Sequence, residues 1–379
     1  GGGPFEGIRA GAMAPMNDPT FVIPTMAHAT RHIGFGVTAN LSYEHPFIMA
    51  RRFSTLDHLT KGRIGWNIVA GYVNSGALAT GRESIRSHDE RYDLAEEYMQ
   101  VVYRYWEECW DDDAVLRDKQ RRIYADPSKV RAIVHEGKLL RSRGVHMCEP
   151  SPQRTPVLFQ AGTSTRGRAF AAQHAECAFL TGSTRDMIRN HVADLRARAV
   201  AAGREASDIA VIAGATLIVA ATDAEARDRY EELRACLDVG GSLSVFSGLA
   251  GIDFSKFDPD APIEYIRSDA AQSFVERMTT LANGRKWRVK DLTAFHQDSP
   301  TAGVFIVGSP GLDGFNVLRT SEPSGLAAVV DLLVPELQSR GIYKTSYEEG
   351  TFRNKLFRRG DRLPASHAAL ASRRASAAE

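Results

Sequence analysis

Polar side chains gather in this chain where apolar runs are about to end, and their types suit the binding of a small polar or anionic ligand. Asn67 interrupts Arg63-Ile64-Gly65-Trp66-Asn67-Ile68-Val69, where an unpaired amide would cost on the order of 1 to 3 kcal/mol. It therefore needs a partner, either a ligand or the backbone. Ser164 follows Pro156-Val157-Leu158-Phe159-Gln160-Ala161-Gly162 and precedes a helical stretch. With the free amides of Thr165, Arg166 and Gly167, its hydroxyl can hold a phosphate against the positive end of a helix. Arg166 or Arg168 can add charge-assisted bonds, and Gly162 and Gly167 permit close backbone approach. Ser164 alone would read more readily as a plain N-cap, and it is the two glycines beside it that tip the reading to phosphate. Thr38 and Asn40 alternate along one strand and share a face, unless they belong to a solvated loop. His88 and Tyr92, four apart, share one face of a helix that Ser87 and Glu90 open as a capping box. They either meet a ligand, or present a first-turn histidine to solvent and a tyrosine to the core.

The elements that must position these groups alternate between strand and helix. A Gly/Ala/Pro-rich loop over residues 1–18 leads to a helix over 19–30, a small-residue strand over 33–40 and a helix over 46–59 that stops at Lys61-Gly62. The strand carrying Asn67 follows, then a helix over 89–106 with apolar Leu94, Tyr98, Val101, Val102 and Tyr105 at helical spacing. Residues 110–154 read as a charged surface excursion with a hairpin near Val145-His146-Met147. Strands at 156–162, 177–180, 209–219 and 314–318 then alternate with helices at 168–174, 184–202, 223–237 and 326–340. With no GxGxxG and no P-loop, this rhythm points to a parallel sheet covered by helices, as a barrel rather than an open sheet, with chemistry where strands end. Six strands can be counted, however, not eight.

Composition sets the wider bounds. At 379 residues, 43% apolar and 25% charged, with net charge +1, the chain has no broad field that would favour nucleic acid or a membrane surface. A small-molecule ligand is expected. Cys109, Cys148, Cys177 and Cys236 show neither zinc nor disulfide spacing, which suits a reducing cytoplasm, and no metal site is expected. His45, His58 and His146 read as structural or surface groups. His296, just beyond a stretch at 240–290 that breaks the rhythm, is retained as a substrate-site candidate. Phe246, Phe254, Phe257 and Trp287 of that stretch read more readily as a satellite core than as a substrate wall.

At this point the segments GFGVTAN, FSTLDHLTKGRIGWNIV, HDERYDLAEEY, SPQRTPVLFQAGTSTRGRAFAAQHAE, DGFNV and VVDLLVPELQSRGIYKTSY can be taken together. They resemble the bacterial-luciferase-like, reduced-flavin-dependent monooxygenases, in the subgroup of nitrilotriacetate monooxygenase component A, dibenzothiophene-sulfone monooxygenase and pristinamycin synthase. The resemblance runs from about Pro19 to Leu356. It implies a single (β/α)8 TIM-barrel domain over residues 1–379, with an inserted lid at 240–290 and a C-terminal tail at 357–379. It implies FMN, delivered reduced by a separate NAD(P)H:flavin reductase, and O2 as co-substrate. A small organic substrate would be oxygenated through a flavin C4a-(hydro)peroxide, in a homodimer or homotetramer.

Carried over position by position, the FMN contacts fall on Thr38, His88, Tyr92 and Ser164, with Asn67 and Val69 along the isoalloxazine. Gly162, Thr165 and Arg166 complete the phosphate turn. The family pattern also holds N-terminal strands and a helix between Pro310 and Gly311 that have no counterpart here. Six strands leave barrel edges exposed, so the sequence is expected to be a shortened form of the family's chain. A non-catalytic flavin-binding protein and a deazaflavin-dependent barrel oxidoreductase are the alternatives.

Overall fold

Six strands lie side by side in chain order, every neighbouring pair parallel: β1 (Phe35–Asn40), β2 (Ile64–Val69), β3 (Val157–Gln160), β4 (Cys177–Leu180), β5 (Ala210–Thr216) and β6 (Gly314–Leu318). The computed structural model describes residues 4–12, 15–71, 73–162, 164–180, 185–236, 238–263, 287–292, 312–318, 321 and 323–371. Among these, β1 and β6 are the outer strands of the sheet, so the count of six holds and the sheet is not closed by eight. His296 and residues 264–286 of the expected lid lie outside the described residues.

Helices α3 (Pro46–Leu59), α5 (His88–Glu107), α6 (Thr165–His174) and α7 (Arg185–Ala201) connect the strands. Strand alternation sorts the side chains. Val37, Trp66, Ile68 and Leu158 join Phe53, Tyr98, Val102 and Trp106 of α3 and α5 in the largest core. Val157, Phe159 and Cys177 turn the other way and pack with Phe179, Ile212 and Phe352. Register places Thr38 beside Asn67, Asn67 beside Phe159, Phe159 beside Cys177, and Cys177 beside Ala210. One layer thus crosses five strands.

Helix α3 begins with His45 accepting from the Phe47 amide and Pro46 in the first turn, as its sequence requires. It ends at Lys61 and Gly62, both at positive φ. Gly62 is needed twice, because an added methyl would also lie 2.6 Å from the Thr351 side chain. The C-terminal segment crosses here, with the Phe352 amide donating to Gly62 O at 2.7 Å. Next to it the Arg353 guanidinium, almost fully buried, donates to both Glu176 oxygens at 2.6 and 2.8 Å and to the carbonyls of Thr155, Pro156 and Asp361. Glu176 also accepts from the Leu158 amide of β3. Gln153 extends the network to Asp57 of α3 and to Ile64 O of β2.

Three local readings are corrected. Residues 4–9 form helix α1 (Pro4–Arg9) rather than loop. Its glycine lets it lie close against α9 (Val239–Ala250), where an added methyl at Gly7 would stand 2.6 Å from the Ser244 hydroxyl. The excursion holds two antiparallel ribbons, Val115–Asp118 with Ile123–Ala125 and Ile133–Glu136 with Arg141–Gly144, instead of a hairpin at 145–147. The turn of the second is fixed by Glu97 of α5, whose carboxylate accepts from the Leu139 and Leu140 amides. The third correction concerns the helix at 324–339, which contains a π turn over Val329–Leu333 ahead of Pro335. Phe246, Phe254 and Trp287 form the expected satellite core, and Phe257 stays exposed.

His146 is buried, with Nε2 2.9 Å from the Ser54 hydroxyl and Nδ1 unpartnered among the described residues. Burial lowers its imidazole to about 4, against ~6.5 for an exposed histidine. A depressed folded-state value means that its contribution is complete above about pH 6.5 and is lost as pH falls toward 4. Between pH 7.5 and 5, the native protein should lose ~2 kcal/mol more stability than His146→Gln does. Urea denaturation at both pH values checks this, and equal pH dependence contradicts it. Arg353→Ala leaves Glu176 buried without its cation and should cost ~3–5 kcal/mol in the same assay.

Candidate active site

Helix α5 leans across the turn between β3 and α6 and brings two distant segments together. Its N-terminus is set by the capping box: the Glu90 carboxylate accepts from the Ser87 amide at 3.0 Å and from the Ser87 hydroxyl at 2.7 Å. This aims His88 at the turn. His88 Nε2 lies 3.2 Å from Ser164 Oγ, and Nδ1 lies 2.9 Å from Asp89 Oδ1. A carboxylate only accepts, so Nδ1 carries the hydrogen and Nε2 faces the serine.

Ser164 caps α6 by accepting from the Gly167 amide at 3.0 Å. The other amides of that first turn have no acceptor within the helix. Tyr92, one turn along α5 from His88, is wedged between Gly162 and Gly167. A methyl added at Gly162 would stand 2.8 Å from the Tyr92 hydroxyl, and one at Gly167 2.7 Å from it. Both glycines are therefore demanded by close approach. Burial pushes the Tyr92 phenol upward, opposed by its contacts with Ser164 and Gln160. It remains a neutral donor at physiological pH.

Gln160, the last residue of β3, is buried and accepts from the Gly162 amide at 2.6 Å. It orders the turn, and the sequence reading missed it. The argument applied to Asn67, that an amide ending an apolar strand needs a partner, would have found it.

On β1 and β2, Asn67 Nδ2 donates to Thr38 Oγ1 at 2.9 Å. Asn67 Oδ1 is buried with no partner among the described residues, an acceptor left for a donor from elsewhere. Val69 faces the same side two residues on, at half burial. Asn40 turns to its own loop and accepts from the Ser42 amide.

The structure thus brings His88, Tyr92, Gly162 and Ser164 into one cluster and Thr38 and Asn67 into another, at the C-terminal ends of adjoining strands. Thr165 is exposed in the first turn of α6. Arg166 pairs with Asp93 at 2.7 Å and Arg168 with Asp194 at 2.6 Å, so both expected anion-binding arginines are already paired. Among the described residues, no group of three or more His, Cys, Asp or Glu is placed to hold a metal ion, and no helix is long and apolar enough to cross a membrane. His45 caps α3, and His58 meets Glu149 O. Both are structural, as is His146.

The arrangement sets a helix start with unpaired amides beside an amide oxygen that has no partner among the described residues, on parallel strand ends. A family model described as luciferase-like monooxygenase matches residues 6–310. The chain belongs to that family and is a flavin-dependent monooxygenase. It is 41% identical over 377 residues to a dimethyl-sulfide monooxygenase of Hyphomicrobium sulfonivorans, covering 96% of this chain and 78% of that one. It is 43% identical over 370 residues to a long-chain alkane monooxygenase of Geobacillus thermodenitrificans, covering 97% and 83%. It is 33% identical over 369 residues to nitrilotriacetate monooxygenase component A of Aminobacter aminovorans, covering 93% and 81%. The crystal structure of DmoA from Hyphomicrobium sulfonivorans superposes with a TM-score of 0.87 at 40% identity, over 99% of this chain and 83% of that one.

Gly167→Ala forces its new methyl onto the Tyr92 hydroxyl and should cost ~1–3 kcal/mol. Adding Tyr92→Phe removes the clashing oxygen and should recover part of that loss. Denaturant unfolding of the two variants checks both steps, and an unaffected Gly167→Ala contradicts the wedge.

Proposed function

We propose that this chain is the oxygenase of a two-component system: it takes FMNH2 from a separate NAD(P)H:flavin reductase and uses O2 to oxygenate a small organic molecule. The observation that carries the reading is the pairing, on neighbouring strand ends, of an anion-ready helix start at Ser164 with an unpartnered amide oxygen at Asn67. The name of one relative, component A of nitrilotriacetate monooxygenase, supports a partner that supplies reduced flavin.

The residues fit the cofactor. Ser164 Oγ and the first-turn amides of Thr165 and Arg166 would hold the phosphate, where the helix dipole favours negative charge, with His88 standing against Ser164. Thr38, Asn67 and Val69 would face the ring, with Asn67 Oδ1 accepting a ring N–H. Reduced flavin supplies the electrons that activate O2. The chain's own part is to bind, orient and exclude water, for which a side-chain nucleophile is not needed. Asn67 remains hydrogen-bonded to Thr38 throughout, which holds its amide plane at the strand end. Tyr92 and Gln160 keep the phosphate turn rigid, so that the ring end is placed by a fixed tail.

Fluorescence titration tests the phosphate assignment. FMN should bind at least ~10-fold more tightly than riboflavin, about 1.4 kcal/mol, and Ser164→Asp should abolish that preference by charge repulsion. Equal affinities in the native protein contradict it. Oxygenated product should form only when photoreduced FMN, or a reductase with NAD(P)H, is supplied.

A further inference from the structure

From the base of the sheet up through the layer that holds Asn67, the inward face on β3 to β5 is apolar. Phe352, Phe159 and Phe179 form a stack that climbs the strands, with ring centroids 5.8 and 5.4 Å apart and interplanar angles of 30° and 13°. Phe352 and Phe159 close the floor, and Phe179 is the upper, half-buried ring. Ile212 lies next to it in register, also half-buried. Beyond Ile212, Gly214 leaves open space: an added methyl there would come no closer than 4.0 Å to another atom. By strand alternation, no charged side chain of the six strands faces inward.

Among the described residues, three arginines beside the strand ends are engaged. Arg82 donates to Ser42 O and lies over the Tyr43 ring at 5.4 Å. Arg166 and Arg168 hold Asp93 and Asp194. A carboxylate or phosphate seated on this wall would lose its water and meet no counter-charge from the six strands or from these three arginines, which is the costly case of charge burial. An apolar chain would instead cover Phe179 and Ile212.

Resting on the flavin reading above, we infer that the substrate is an uncharged, largely apolar organic molecule seated on Phe179 and Ile212, and that these two side chains set the specificity of the site. Polyanionic substrates are thereby disfavoured, although a relative in the family is named for one.

The test uses the whole chain loaded with oxidised FMN, with loading verified first by fluorescence quenching. An n-alkyl methyl sulfide and its terminally carboxylated analogue of equal chain length are titrated separately, read by the perturbation of flavin absorbance. The neutral sulfide should bind at least ~10-fold more tightly than the carboxylate. Ile212→Arg, which places a cation on a half-buried position of the wall, should reverse the order while FMN affinity stays unchanged. Equal or tighter binding of the carboxylate by the native protein overturns the inference, and so does the absence of any response to the sulfide. Failure to load FMN would instead sink the cofactor reading, on which this one stands.

Discussion

One buried ion pair holds the base of the sheet in place. Arg353 and Glu176 are separated by 177 residues yet meet at 2.6 Å with almost no solvent access. Between them and Gln153 they fix the entry to β2 through Ile64 O, the entry to β3 through Pro156 O and the Leu158 amide, and the residue ahead of β4. An unpaired charge at this depth costs several kcal/mol, so the three strands must start at fixed heights. In a parallel sheet a fixed start means a fixed end. The ends of β2 and β3 are where Asn67 and the Gly162 turn are displayed, so the network at one face sets the geometry at the other.

Above that base the site depends on close approach. Helix α5 can lie against the β3–α6 turn only because Gly162 and Gly167 carry no side chain beneath the Tyr92 hydroxyl. Tyr92 also packs against Phe170 of α6 at 5.7 Å, and His88 lies 5.1 Å from Tyr92, so one aromatic row aligns the two helices. Ser164 and His88 meet as a consequence of that alignment. Across the β1–β2 boundary, the Asn67 amide donates to Thr38, and its oxygen has no partner among the described residues. A strand-end pair and a helix-start pair thus stand at the two ends of the proposed flavin site.

Much of this was legible in the chain because it follows from local rules. The Ser87–Glu90 box, the Ser164 cap and the requirement that Asn67 find a partner are properties of short windows, and all three hold. The parallel order followed from the alternation of strand and helix. What stayed hidden depends on partners far away in sequence. Arg166 and Arg168 look free beside a phosphate turn, yet Asp93 and Asp194 pair with them from other helices. Arg353 sits near a basic C-terminal stretch, with nothing local to mark it as the buried centre of the sheet's base. Residues 4–9 have loop-like composition and become a helix only where α9 covers them. The ribbon at 133–144 likewise turns where Glu97, on α5, reaches its amides.

The central claim is that a flavin phosphate and ring span the two clusters, tail at Ser164 and ring at Asn67. A crystal structure of the protein with FMN bound tests it most directly. The account predicts phosphate oxygens within hydrogen-bond distance of Ser164 Oγ and of the first-turn amides of α6, with a ring N–H donating to Asn67 Oδ1. A phosphate held anywhere else, or a ring that leaves the Asn67 oxygen unpaired, would contradict it.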